Sequence, residues 1–119
     1  MKPRILIVED EIIAAKSLKD LLEDWEFQVS SIVTSGEAAV EKAGAERPDV
    51  VLMDVNLAGE MDGIEAAGRI ISEFGLSVIF ISASSDPEVI KRANSVKPAG
   101  YLLKPLDFTE LLKTINSVL

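Results

Sequence analysis

The chain has neither cysteine nor histidine among its 119 residues. Without cysteine there is no disulfide and no thiolate metal site. Without histidine there is no imidazole ligand, no histidine general base and no Ser-His-Asp or Cys-His arrangement. Any chemistry must therefore use carboxylates, hydroxyls, lysine and a bound metal ion.

Basic residues and long apolar runs are also scarce. Twelve Lys and Arg stand against twenty Asp and Glu, a net charge of -8, and this balance repels a phosphate backbone. The first apolar run, Ile5 to Val8, has four residues, too few for a signal-peptide core or a membrane span. We therefore expect a cytoplasmic protein that binds neither nucleic acid nor membrane directly.

What remains is the composition of an ordinary globular domain. Hydrophobic residues make up 48% and charged residues 27% of the chain, close to the average for packed proteins. A chain of this length holds one hydrophobic core. We predict a single domain over residues 1–119.

Short apolar runs alternate with helical patterns along the whole chain. The apolar runs predict five strands, at 5–8, 27–33, 50–53, 78–81 and 101–103. Three- and four-residue spacing predicts five helices, at 11–25, 34–45, 63–74, 87–96 and 107–119. The first helix should bury a face made of Ile12, Ala15, Leu18, Leu21, Leu22 and Trp25.

Capping residues mark several helix starts. Thr34 with Glu37, and Asp107 with Glu110, have the spacing of capping boxes, in which each side chain accepts from a backbone amide of the other end. Asp86 precedes a proline that suits the first position of a helix.

Alternating strands and helices predict an α/β fold with a parallel sheet and right-handed crossovers. At this length we expect a flavodoxin-like, doubly wound sheet of five strands in the order 2-1-3-4-5, with five helices. Residues 50–53 are apolar on both faces, as in a central strand, and residues 27–33 alternate as in an edge strand. Ligands of such sheets bind outside the carboxyl ends of the strands.

Polar residues follow four of the predicted strands at that edge: Glu9, Asp10 and Glu11, then Asp54, Ser82 and Lys104. Each alone is an ordinary cap, turn or solvated residue. Together, crowded carboxylates must share a proton or a cation, and an all-oxygen set suits Mg²⁺. Lysine and serine can contact a phosphoryl group there, an arrangement that favours phosphoryl transfer to a carboxylate.

Five segments of the chain resemble, in order and spacing, the motifs of the two-component response-regulator receiver domain. They are residues 5–11, 51–54, 61–63, 79–83 and 100–105. The resemblance covers the whole chain. It implies that Asp54 accepts a phosphoryl group from a phosphohistidine on a sensor histidine kinase or phosphotransfer protein. It also implies a signalling domain that catalyses only its own phosphorylation and dephosphorylation.

The resemblance further implies roles for the surrounding residues. Glu9, Asp10 and Asp54, with the main-chain carbonyl of Asn56, would hold Mg²⁺. Lys104 would contact the phosphoryl oxygens and Asp54, and its bond to Pro105 would be cis.

Switching is assigned to two residues by the same resemblance. Ser82 would move toward the phosphoryl group, and Tyr101 would change rotamer with it. The surface formed by the fourth helix, fifth strand and fifth helix would then control an output domain or protein that the sequence does not name. The same surface is a candidate for pairing with a second copy of the chain, and the sequence leaves the oligomeric state open.

Three single positions and one loop depart from the common pattern of the family. Glu9 stands where Asp is commoner, which lengthens the reach to a metal and suggests an intervening water. Ser82 replaces Thr, and Leu106 replaces Phe. The loop after Asp54 carries Ala58, Gly59 and Glu60 and is one residue longer than the compact version.

Two other classes of function fit the sequence less well. A small phosphohydrolase working through an aspartyl-phosphate needs a second Asp two residues after the nucleophile, where this chain has Asn56. A flavodoxin needs a loop after the first strand that is rich in hydroxyl groups and glycine. The acidic residues 9–11 would repel the flavin phosphate.

Overall fold

Strands and helices alternate from end to end, as the apolar pattern predicts. The computed structural model describes residues 1–57 and 59–119, so that Ala58, part of the predicted longer loop, lies outside the described residues. The strands are β1 (Arg4–Val8), β2 (Gln28–Val33), β3 (Val50–Asp54), β4 (Ser77–Ser82) and β5 (Gly100–Leu103). The helices are α1 (Ile12–Asp24), α2 (Gly36–Glu46), α3 (Gly63–Phe74), α4 (Pro87–Asn94) and α5 (Phe108–Val118).

The strands form one sheet in the order β2-β1-β3-β4-β5, and every neighbouring pair is parallel. This confirms the predicted flavodoxin-like α/β fold. All five residues of the central strand β3 are buried, because helices cover both faces of the sheet. The edge strand β2 is mostly half-buried, as its alternating pattern predicts.

Alternate residues along the strands face two helical layers. One face packs against α2, α3 and α4, and the other against α1 and α5. Buried strand residues such as Phe80 and Ile7 each stabilise the fold by about 1.5–3 kcal/mol relative to an exposed side chain. This two-sided core fixes the sheet edge on which the polar residues lie.

The start of α2 differs from the prediction by one residue. Ser35, not Thr34, is the N-cap, and its Oγ accepts from the backbone N–H of Ala38 at 3.2 Å. Either hydroxyl could cap the helix. Ser35 does so because the free N–H of Ala38 lies three residues after it, the usual spacing of an N-cap bond. Glu37 therefore does not act as the partner of Thr34, and its Oε1 accepts instead from the N–H of Met61.

Two further expectations about helices need correction. Ile12 was predicted on the buried face of α1, yet it is half exposed because the first turn of the helix lies beyond the end of β1. The fourth helix ends at Asn94, before the predicted residue 96. Three residues beyond this end, Lys97 has a left-handed backbone conformation with a φ of 59°. Pro98 follows it and cannot continue a helix.

Asp86 and Asp107 cap their helices as the sequence predicts, although among the described residues the Glu110 side chain makes no return bond that would complete a capping box. The carboxylates of Asp86 and Asp107 accept from backbone amides of the first turns of α4 and α5. Among residues 1–57 and 59–119, no helix is both long and apolar enough to cross a membrane.

Candidate functional site

The parallel register brings the polar strand ends together. Val8 lies opposite Met53, so that Glu9 and Asp54 follow neighbouring positions in adjacent strands. Ser82 lies opposite Leu103, the residue before Lys104. The sequence expectation that these side chains share one edge of the sheet is confirmed.

Three carboxylates form an acidic cluster at this edge. One oxygen each from Glu9, Asp10 and Asp54 lies within 4.8 Å of the others. The side chains of Glu9 and Asp54 are only 9% and 8% exposed, whereas Asp10 is exposed. Hard oxygen ligands that converge in this way suit a divalent cation such as Mg²⁺.

A single ammonium group faces the two buried carboxylates. The Nζ of Lys104 lies 3.3 Å from Oε2 of Glu9 and 3.2 Å from Oδ2 of Asp54. Partial burial lowers the pKa of Lys104, but the two carboxylates outweigh it and raise the pKa above its ordinary value. Lys104 therefore stays charged.

Glu9 records the crowding of negative charge. Burial, and then the neighbouring carboxylate of Asp54, raise the pKa of Glu9 above its ordinary value, although Lys104 and the N–H of Glu11 act in the opposite direction. A bound cation would relieve this repulsion, since it supplies the positive charge that one lysine does not. The residues present therefore fit a divalent metal.

Both oxygens of Asp54 have a donor. Oδ1 accepts from the backbone N–H of Asn56 at 2.9 Å, and Oδ2 accepts from Lys104. Gly63, the first residue of α3, lies directly against the carbonyl of Asp54, where an added Cβ would come within 2.0 Å of the oxygen. The carboxylate is thus held between its own loop and the lysine.

A small cavity adjoins the carboxylates. Its volume is about 70 Å³, and its lining includes Glu9, Asp54 and Lys104 together with the apolar side chains of Leu18 and Leu106. On the side of α1 the polar groups therefore face apolar side chains, and electrostatic interactions are stronger in such surroundings of low dielectric constant.

Ser82 and Tyr101 meet at one residue that the sequence did not single out. The buried Ser82 accepts through Oγ from the N–H of Ser84 at 3.0 Å, and the Tyr101 hydroxyl donates to the carbonyl of Ser84 at 2.8 Å. The Tyr101 ring packs on Phe80, with 6.2 Å between centroids. Both predicted switch residues therefore hold the same short piece of backbone.

The peptide bond between Lys104 and Pro105 is cis, as the family resemblance implies. Fold and site together define a doubly wound α/β domain with a carboxylate-rich edge suited to a divalent cation. The profile of the response regulator receiver domain matches residues 5–116, and the chain belongs to this family. Receiver domains are signalling domains of two-component systems, and they interact with histidine kinases or phosphotransfer proteins and with output domains.

Similar proteins place the domain in several contexts. The chain is 32% identical over 113 residues to the transcriptional regulatory protein PdtaR of Mycobacterium tuberculosis, covering 95% of this chain and 55% of PdtaR. It is 34% identical over 119 residues to the chemotaxis protein CheY of Treponema pallidum, covering 98% of this chain and 82% of that protein. The chain thus spans about half of PdtaR and most of CheY.

Among solved structures, the signal receiver domain of a modulated diguanylate cyclase from Desulfovibrio desulfuricans G20 is similar, with a TM-score of 0.93. It is 40% identical, and the alignment covers 99% of this chain and 94% of that chain. The similarity extends over the whole sheet and all its helices.

Three contacts near the site escaped the sequence analysis. Glu37 accepts from the N–H of Met61, and Arg92 donates to Asp62 at 2.6 Å. The third is at Ser84, which donates its N–H to Ser82 and accepts at its carbonyl from Tyr101. Each joins residues from different elements, and only the three-residue spacing at Glu37 gave any signal, which favoured a capping box instead.

Proposed function

We propose that the chain is a phosphorylation-controlled receiver in which Asp54 accepts a phosphoryl group from the phosphohistidine of a sensor histidine kinase or phosphotransfer protein. The observation that carries the proposal is the position of Lys104, whose Nζ lies within 3.3 Å of both Glu9 and Asp54. A buried carboxylate beside an ammonium group and an acidic cluster suits attack on phosphorus.

In the proposed transfer, one carboxylate oxygen of Asp54 forms a bond to phosphorus while the bond from phosphorus to the donor imidazole breaks. The electron pair of that bond stays on the imidazole nitrogen, which takes up a proton from water. Lys104 neutralises charge on the phosphoryl oxygens, because its raised pKa keeps it protonated. The Ser82 hydroxyl donates to the same group.

Glu9, Asp10, Asp54 and the main-chain carbonyl of Asn56 would hold Mg²⁺ in this proposal. When bound, Mg²⁺ neutralises the charge that develops on the phosphoryl oxygens. The longer side chain of Glu9 suits a ligand that acts through water. The domain carries out only its own phosphorylation and dephosphorylation, and it needs no diffusible substrate.

Switching is proposed to start at Ser84. Ser82 and Tyr101 bond its N–H and carbonyl, so drawing Ser82 toward a phosphoryl group changes the contacts of Tyr101. This is the differential contact that a population shift requires. The affected surface is α4, β5 and α5, through which an output domain or protein, or a second copy of the chain, would be controlled.

We also propose that the receiver domain extends over residues 1–119 and works in the cytoplasm, where histidine kinases form phosphohistidine from ATP. The central strand and the acidic cluster lie well inside these bounds.

The acceptor is tested by incubation with acetyl phosphate and Mg²⁺, followed by mass spectrometry. The wild-type chain should gain one phosphoryl mass that hydroxylamine removes, since acyl phosphates react with it. Asp54→Asn should gain none. Asp20→Asn, a change at an exposed aspartate of α1, is the matched control and should behave as wild type. Equal gain by Asp54→Asn would refute the assignment.

The switch is tested with a beryllium fluoride mimic of the phosphoryl group. Backbone chemical shifts should change mainly in α4, β5 and α5, and Ser82 should move toward Asp54. The same spectra with Tyr101→Phe, which removes the bond to Ser84, should show weaker changes in α4. Identical spectra with and without the mimic would contradict the proposal.

A further inference from the structure

Residues 61 and 62, just before α3, are contacted from two sides by helices that carry none of the predicted site residues. Glu37 of α2 reaches Met61, and Arg92 of α4 reaches Asp62. Both contacts lie next to the backbone that follows Asp54.

On the α2 side, the contact combines a hydrogen bond with close packing. Oε1 of Glu37 accepts from the N–H of Met61 at 3.1 Å. Gly36 lies so near that an added Cβ would come within 2.7 Å of the Met61 carbonyl oxygen and 3.0 Å of its Cγ. Because Ser35 caps the helix, Glu37 is available for this bond.

On the α4 side, the contact is ionic. Asp62 is the N-cap of α3, and its Oδ1 accepts from the N–H of Glu65 at 2.9 Å. Its Oδ2 accepts from the Arg92 guanidinium at 2.6 Å, and Glu65 lies 3.7 Å from the same group. One guanidinium thus joins α4 to the first turn of α3.

Gly63, the residue after Asp62, lies against the end of β3, the strand that carries Asp54. The N–H of Gly63 donates to the carbonyl of Val55 at 3.1 Å, and its Cα lies against the carbonyl of Asp54. Asn56 in turn donates to Oδ1 of Asp54. A shift of residues 61 and 62 would therefore displace the backbone that orients the acceptor and carries the predicted main-chain ligand.

We propose that Glu37 and Arg92 are positioning residues of the phosphoacceptor site. They hold residues 61 and 62 from α2 and α4, so that the backbone at Val55 and Asn56 keeps its place against Asp54. The inference rests on the proposed function and deepens it. Arg92 belongs to α4. If binding at the site shifts α4, then a change that shifts α4 must in turn alter the site, because such coupling is reciprocal.

The first test is the Mg²⁺ affinity of Glu37 variants, measured by calorimetric titration. Glu37→Ala removes the acceptor and should weaken binding by about 3- to 10-fold, below the range for direct partners of metal ligands because the contact is one step further away. Glu37→Gln keeps a carbonyl oxygen and should stay within about twofold of wild type on the same scale. Glu41→Ala, an exposed glutamate of the same helix, is the control and should leave affinity unchanged.

Arg92 is tested in the same way. Its side chain is 51% exposed, so Arg92→Ala should weaken Mg²⁺ binding by only about twofold, in line with the small energies of exposed ion pairs. Lys91→Ala, the neighbouring exposed cation of α4, should have no effect. Combining Glu37→Ala with Arg92→Ala should weaken binding more than either change.

Amide hydrogen exchange at Met61, measured without Mg²⁺, separates the possible failures. The amide should exchange faster in Glu37→Ala than in wild type or Glu37→Gln. Unchanged exchange, or Glu37→Ala binding Mg²⁺ as tightly as wild type, would overturn the positioning role. Equal loss of affinity in Glu37→Gln would also overturn it, since charge alone would then explain the effect. A wild-type chain that binds no Mg²⁺ would instead refute the proposed function.

Discussion

The two ends of the sheet treat charge differently. At the amino ends, the exposed Lys2 pairs with one exposed carboxylate, that of Glu26, and their charged groups lie 3.2 Å apart. At the carboxyl ends, Glu9 and Asp54 are buried and share Lys104. Exposed pairs contribute little to stability, whereas an excess of buried charge of one sign opposes folding. The imbalance, more than the number of charges, marks the site.

The two ends of the sheet also differ in the size of the cavity beside them. An open cavity of about 560 Å³ lies at the amino ends, between the first residues of the chain and Val118 and Leu119. The cavity beside Asp54 measures about 70 Å³. Around the larger space, Lys2 has an exposed partner, while Arg4 and Arg47 donate to main-chain carbonyls. Around the smaller one lie the carboxylates of Glu9 and Asp54, and burial and then Asp54 raise the pKa of Glu9. Buried charge, and not the volume of the cavity, therefore distinguishes the proposed site.

The sharpest way to break this comparison is to remove one lysine from each end. Lys104→Met leaves Glu9 and Asp54 without their cation and should destabilise the metal-free chain by about 1–3 kcal/mol at pH 7, less than for a fully buried pair because Lys104 is 34% exposed. Lys2→Met should change stability by less than about 0.5 kcal/mol. Urea unfolding of both variants measures the two values. Equal effects would mean that the two ends do not differ.

Added Mg²⁺ should stabilise the carboxyl end alone. If the site binds with millimolar affinity, ten times that concentration stabilises the native state by roughly 1.4 kcal/mol through mass action. For a domain of this size, the melting temperature should rise by roughly 4–6 °C. Asp10→Asn should lose most of the rise, although Asp10 is exposed, because it removes a ligand.

A thermal scan with and without Mg²⁺ at constant ionic strength makes this measurement. Asp20→Asn is the matched control and should keep the full rise. A wild-type melting temperature that does not respond to Mg²⁺ would contradict the shared-cation interpretation of the acidic cluster.

Replacing Asp54, the proposed acceptor, with Asn should stabilise the metal-free chain while abolishing the proposed phosphorylation. Asp54→Asn removes one of two carboxylates that repel each other, while Lys104 keeps Glu9 and the amide oxygen can still accept from Asn56. We expect a gain of about 1 kcal/mol in EDTA, as at sites that trade stability for activity. The smaller gain expected of Asp10→Asn follows from its exposure. An Asp54→Asn chain that melts below wild type in EDTA would show that the repulsion is already relieved.

Sequence patterns predicted the fold because they act through local chemistry. The strands are short apolar runs, and Asp86 and Asp107 cap their helices through bonds to nearby amides. The polar edge was also predictable, since parallel topology brings all carboxyl ends together. The prediction failed where local signals were ambiguous: two adjacent hydroxyls, at Thr34 and Ser35, both suit an N-cap, and Ser35 makes the bond to the N–H of Ala38.

Contacts between distant residues were out of reach for a different reason. Glu37 and Met61 are 24 residues apart, and Arg92 and Asp62 are 30 apart. Periodicity describes one helix or strand at a time, so it carries no information on which exposed side chains meet between α2, α3 and α4. The contacts of Glu37 and Arg92 near Asp54 therefore required the structure.

The pH dependence of stability should have opposite signs at Glu9 and at Asp62, two carboxylates near the carboxyl end of the sheet. The pKa of Glu9 is raised above its ordinary value of 4.5, mainly by burial and then by Asp54. A raised carboxyl pKa gives stability below 4.5 that is lost as the pH rises through the folded-state pKa. Metal-free wild type should thus lose stability relative to Glu9→Gln over that window. The loss should be smaller than the gain from Asp54→Asn, because Lys104 still offsets part of the charge.

Asp62, outside the acidic cluster, should behave in the opposite way. Partial burial raises its pKa, but the N–H of Glu65 and the Arg92 guanidinium outweigh this and hold the pKa below its ordinary value of 3.8. Its contribution is therefore present above 3.8 and is lost as the pH falls through the folded-state pKa. Urea unfolding at several pH values, with Arg92→Ala as the comparison, should show this loss diminished in the variant. The same acid loss in Arg92→Ala would contradict the role given to the guanidinium.

The smallest expected effect concerns Trp25, the only tryptophan, which lies at the end of α1 away from the acidic cluster. By the helical rise it is about 20 Å from Glu11, and its ring packs edge-on against Phe108 with 6.4 Å between centroids. Mg²⁺ should therefore leave its fluorescence nearly unchanged, since neither the cation nor a ligand touches the indole. Phe108→Leu should alter the emission of the metal-free chain, which shows that the indole does report its own neighbour. Strong quenching of wild type by millimolar Mg²⁺ that is lost in Phe108→Leu would contradict this prediction. It would mean that cation binding affects Trp25 through the start of α5. The carboxyl edge of the sheet would then be coupled to a region that the charge comparison treats as separate.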